Sequence, residues 1–84
     1  MEKPDYFLSK HAKERARERL IRKSDIEEAL CKPTKLLYNE KDKLIFKKIY
    51  GNKENRLLII VTERSGQKLK IITIIDTTNI KKYL

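Results

Sequence analysis

The sequence predicts an α+β domain in which two N-terminal helices pack on a four-stranded antiparallel sheet. Three observations predict it. Residues 9–32 carry apolar side chains at helical spacing, residues 35–76 switch to strand-like apolar runs, and short turns separate those runs. A chain of 84 residues has room for one modest core. A single domain is therefore expected, with helices at about 9–32, a sheet at about 35–76 and a tail at 77–84.

Each element has a local reason. Ser9 is placed to cap a helix that runs to about Ile21. Ser24 opens a second helix with the capping box Ser24-x-x-Glu27, and Asp25, Glu27 and Glu28 in its first turn suit the helix dipole. Pro33 stops it. Leu36-Leu37-Tyr38 reads as a first strand, Lys41-Asp42-Lys43 as a turn, and Leu44 to Tyr50 as an alternating second strand. Gly51 to Asn55 is a loop. Leu57 to Thr62 and Leu69 to Ile75 are apolar strands joined by a hairpin turn at Arg64-Ser65-Gly66-Gln67. Asn79 to Leu84 reads as a last turn of helix.

Two conflicts follow from this layout. The last two strands are apolar on both faces, so the face away from the helices needs cover from the tail, a partner or a second copy, which makes a homodimer one expectation. A simple meander also leaves the last strand at the edge of the sheet, where such an apolar run invites pairing with another chain.

The formal net charge is +9. It is uneven: residues 1–31 hold eight basic and seven acidic groups, and residues 32–84 hold thirteen basic and five acidic. Such a field favours a polyanion such as RNA or DNA, or an acidic protein, although a solubilising surface is the plainer alternative. Cys31 is the single cysteine, so no disulfide framework forms within the chain. The start lacks a secretory pattern and no apolar run approaches the roughly 20 residues that cross a bilayer. A cytoplasmic protein is expected, with no membrane partner.

The most informative stretch is Ser9 to Arg19. It holds the only histidine, His11, followed by Arg15 and Arg19 at steps of four. On a helix these three stand in one column, inside or against the stripe that faces the core. Guanidinium groups directed at the protein body must be paired or must line a cleft, and a cleft for phosphate is one such reason. Other chemistries lack their parts. Only Gly51 and Gly66 are available for a phosphate loop, one histidine and one cysteine make no zinc site, and no cofactor motif is present. An enzyme built from these residues would work without a metal.

RNA permits that, because its 2′-hydroxyl is an internal nucleophile beside the scissile phosphate. The protein needs an acid or base and cations for the developing charge. His11 fits the first role, and Arg15 and Arg19 the second. Lys47, Lys48 and Arg64 are candidates for backbone contacts, and Tyr50 for stacking on a base. The requirement is that imidazole and both guanidinium groups open into one hollow above the sheet. Two other readings use the same residues: a non-catalytic basic module, and a structural column paired with Glu63 or with the acidic second helix.

The pattern Ser9-x-His11-Ala12-x-x-Arg15-x-x-x-Arg19, followed by Ser24-x-x-x-Glu28-Ala29-Leu30-x-x-Pro33, resembles a family of small prokaryotic domains of uncharacterised function. Arg56-Leu-Leu-Ile-Ile-Val-Thr-Glu-Arg64 and Lys70-Ile-Ile-Thr73-Ile resemble the strands of the same family and of BrnT-like toxins. The likeness spans residues 9–76 and extends to the fold of RelE-like ribonuclease toxins. It implies metal-independent RNA cleavage by a toxin of a toxin–antitoxin system, neutralised by an acidic antitoxin. It also marks His11, Arg15, Arg19 and Thr73 as site positions, with Thr73 contacting a phosphate or hydroxyl. The ending Thr77 to Leu84 departs from the basic ending of the BrnT-like proteins.

Overall fold

A computed structural model describes residues 5–39, 41–51, 53 and 55–84. Among these the elements are β1 (Tyr6–Leu8), α1 (Lys10–Glu18), α2 (Lys23–Cys31), β2 (Lys35–Tyr38), β3 (Lys43–Tyr50), β4 (Arg56–Ser65), β5 (Lys68–Thr77) and α3 (Ile80–Tyr83). The expected loop at 51–55 is only partly covered, since residues 52 and 54 lie outside the described set.

The expectation of two helices on a four-stranded antiparallel sheet is corrected. The sheet has five strands in the order β1-β5-β4-β3-β2, and β1 pairs parallel to β5, with Tyr6, Phe7 and Leu8 opposite Leu69, Lys70 and Ile71. A third short helix closes the chain. The reason for the miss is physical. Three residues are too few to show alternation, and Leu8 also suits the apolar stripe of the helix that follows. Their pairing is set by a partner more than 60 residues away. The added strand relieves the edge conflict over Leu69 to Ile71, where β5 lies between β1 and β4.

The helix starts differ in an instructive way. Ser9 caps α1, its hydroxyl accepting from the Ala12 N–H at 3.1 Å. The second helix begins earlier than the Ser24 box predicts. Asp25 accepts the Arg22 N–H at 3.1 Å, so Arg22 becomes the N-cap and Ser24 falls inside the helix.

Ala12, Ile26, Ala29 and Leu30 of the helices pack on Phe46, Leu58, Ile60, Ile71 and Ile74 of the sheet. The opposite face is not bare. Leu57 and Ile59 are buried there, and α3 lies against β4. Lys47 and Lys35 each donate from Nζ to a main-chain carbonyl of that turn, those of Tyr83 and Leu84 respectively. The tail thus supplies part of the cover that the two-faced strands require.

One irregularity bears on the site. Val61 pairs with Thr73 but Thr62 pairs with Ile71, so Ile72 is an extra residue in β5. This β-bulge lies where β1 gives way to α1. Ser9 donates there from its N–H to the Ile71 carbonyl and from its hydroxyl to the Ile72 carbonyl, both at 3.0 Å.

Candidate functional site

The bulge and the helix cap together bring His11 to Thr73. The imidazole Nε2 lies 3.1 Å from the Thr73 hydroxyl, across 62 positions of sequence. Ile74 belongs to the core and Asp76 bonds Tyr50 on the helix side, so strand alternation puts Thr73, Ile75 and Thr77 on the other face. His11 meets Thr73 at the edge of β5 that β1, reaching only to Ile71, leaves unpaired. The pair is open to solvent.

Arg15 and Arg19 continue the column along α1. Ala12, fully buried, and half-buried Ala16 form the inward stripe, with the column as its flank. Arg15 is half-buried and Arg19 exposed, and among the described residues neither takes part in an ion pair or side-chain hydrogen bond. No pairing of the column with Glu63 or with α2 is seen there. His11, Arg15 and Arg19 line none of the four cavities described, so the common hollow expected beside them is not one of these. The trio is an open surface strip without ion-pair partners among the described residues.

The weaker backbone candidates do not share that strip. Lys47 lies on the outer face and is tied to α3. Lys48 points to the helix side, 3.9 Å from Glu28. Arg64 is exposed near the β4–β5 turn. Tyr50, expected to stack on a base, is engaged within the protein. Its hydroxyl donates to Asp76 at 2.8 Å, and the Arg56 guanidinium stands 5.4 Å from its ring centroid.

Sequence reasoning missed this second cluster. The Asp76 carboxylate is only 4% exposed and takes bonds from Tyr50 and from Arg56. Burial, and then the bond to Asp76, raise the Tyr50 phenol above its ordinary range. The same carboxylate raises the Arg56 guanidinium. One signal was present: Tyr50 and Arg56 flank one loop and pair across β3 and β4. Tyr6 offers a parallel, donating at 2.9 Å to Glu27 and so joining β1 to α2. Burial followed by that bond pushes its pKa up to about 12.

The largest of the four cavities described, about 830 Å³, lies beside the second cluster. Leu20, Arg22, Asp25, Glu28, Tyr50 and Arg56 are among its walls. A second, of about 520 Å³, lies between β1, α1 and α2, with Lys13 and Arg17 at its border.

Fold and site define a small basic helix-and-sheet domain with a histidine–arginine strip beside a bulged strand. A family model described as "Domain of unknown function (DUF4258)" matches residues 8–76, and the chain belongs to that family. No curated protein and no solved structure matches the chain. Among the described residues no helix is long and apolar enough to cross a membrane.

Proposed function

We propose that this chain is a toxin-like endoribonuclease that cleaves RNA without a metal. The observation that carries the reading is the His11–Thr73 pair at the head of a column holding two arginines without ion-pair partners among the described residues; the groups share an open strip on which a strand can lie, in place of the hollow first expected. In the reaction His11 takes the 2′-hydroxyl proton as general base while water protonates the 5′ leaving oxygen, or it protonates that oxygen as general acid while water takes the 2′-hydroxyl proton. The 2′-oxygen bonds to phosphorus, the bond to the 5′-oxygen breaks, and a 2′,3′-cyclic phosphate remains. Arg15 and Arg19 offset the charge that builds on the phosphoryl oxygens. Thr73 orients the imidazole and reaches a phosphate or hydroxyl of the substrate. The sequence likeness to BrnT-like toxins and the net charge of +9 support an RNA substrate and an acidic antitoxin as partner.

The test is cleavage of an end-labelled RNA by the purified protein. His11→Ala is expected to lower the rate by about 100-fold or more with RNA affinity nearly unchanged. Equal rates for the two proteins overturn the assignment.

The openness of the strip favours one second reading, a non-catalytic module that holds RNA, DNA or an acidic partner on the same surface. It predicts no cleavage by the wild type and an affinity that falls steeply with salt.

A further inference from the structure

The end of α1 breaks a local rule. Leu20 N–H donates to the Arg17 carbonyl and Ile21 N–H to the Ala16 carbonyl, the paired bonds of a Schellman cap. The residue at its centre takes a left-handed conformation, and Leu20 has φ 54°. Glycine is the residue that adopts this backbone without cost; a Cβ there is strained. The leucine side chain also gains nothing by burial within the chain, since it is 86% exposed. A residue costly both in backbone and in solvation points to a use outside the fold.

Its surroundings indicate the use. Leu20 forms part of the wall of the 830 Å³ cavity, with Arg22, Lys48 and Arg56 for cations, each held through one nitrogen by a carboxylate (Asp25, Glu28 and Asp76) and keeping further N–H donors, and with Asp25 and Glu28 for acceptors. An apolar wall, cations and hydrogen-bond acceptors match a base, a phosphate and the N–H edge of that base. The volume falls in the range of small-ligand sites. Arg56 is anchored from behind by Asp76, so its guanidinium is held in place beside the cavity. Arg19, the last member of the arginine column, directly precedes Leu20.

We infer that this cavity is a nucleotide subsite, in which Leu20 covers the face of a base and Arg22 and Arg56 receive a phosphate. As a place for one nucleotide of a bound strand it rests on the RNA reading above; as a binding site for a single nucleotide it is tested without it.

The experiment titrates the full chain with each of the four nucleoside 5′-monophosphates and, separately, with inorganic phosphate, followed by backbone amide NMR. Amides at Leu20, Tyr50, Gly51 and Arg56 are expected to shift with at least one nucleotide. Leu20→Gly should weaken that nucleotide at least five-fold, leave phosphate unchanged and leave the chain folded, because glycine suits the left-handed backbone. Arg22→Ala, at an exposed side chain, should weaken both ligands. Absence of shifts with every nucleotide, or equal nucleotide affinity in Leu20→Gly, overturns the subsite. His11→Ala should bind the nucleotide normally. Loss of cleavage with no nucleotide binding would therefore sink the subsite alone, and nucleotide binding with cleavage unaffected by His11→Ala would sink the nuclease alone.

Discussion

Two positions on β5, three residues apart, are used in opposite ways. Thr73 meets His11 in the open, with arginines that have no ion-pair partner among the described residues continuing the same column. Asp76 is closed off, with Tyr50 and Arg56 both directed at it. At the first the arginines have no ion-pair partner among the described residues, and at the second Asp76 holds the Arg56 guanidinium through one nitrogen. The bulge at Ile72 makes the difference possible, since it lets Ile71 and Ile74 both face the core while Thr73 comes to the edge beside α1. Loss of a group at the open end should alter chemistry, and loss of one at the closed end should alter stability.

The sharpest break of that contrast is at the open end. His11→Ala should cost about 100-fold or more in RNA cleavage while the melting temperature moves by no more than a degree or two, read by calorimetry beside the RNA assay. Next is Asp76→Ala. It strands the Arg56 charge and the Tyr50 hydroxyl, and because Arg56 keeps partial contact with water the cost should sit near the lower end for a broken buried pair, about 3 kcal/mol. That lowers the melting temperature by roughly 10 °C or more in a domain of this size. A fall of one or two degrees would show that the cluster is not structural.

Two smaller effects refine the picture. Leu20→Gly should stabilise the fold by about 1 kcal/mol through relief of the left-handed backbone, seen as a higher urea midpoint. Tyr6 gives a pH effect. Its folded pKa, about 12, lies above the ordinary phenol value of 10.0, so the protonated phenol is favoured by folding. Its contribution is full below pH 10.0 and is lost as pH rises toward about 12. Tyr6→Phe should therefore lose less stability than the wild type between pH 10.0 and about 12, by urea titration at each pH. Equal losses would mean that the Glu27 bond does not set the phenol.

Much of this arrangement was legible one element at a time. Ser9, Pro33, Gly66 and the apolar runs of β3, β4 and β5 act through neighbours in sequence, and each marks a boundary close to where the structure has it. The His11–Arg15–Arg19 column was legible too, because helical spacing alone aligns it. What could not be read depends on distant partners. The three residues of β1 are a strand only because Leu69 to Ile71 offer an edge. The cap is the local exception: Arg22 displaced Ser24 because Asp25, three residues on, turned back to its N–H. The expected hollow is not among the cavities described for a related reason: spacing fixes which side of α1 a residue occupies, but not that this side faces the free edge of β5. Tyr50 was read as an available ring because Asp76 lies 26 positions away.

The parallel pairing of β1 with β5 has a consequence in time. The chain emerges from the ribosome N-terminus first, so Tyr6 to Leu8 must wait, unpaired, until Leu69 to Ile71 have been synthesised. His11 reaches Thr73 only after that closure. A nascent chain would thus carry its histidine and arginines without the contact that organises them until β5 has emerged, and any activity that needs the contact would begin only then.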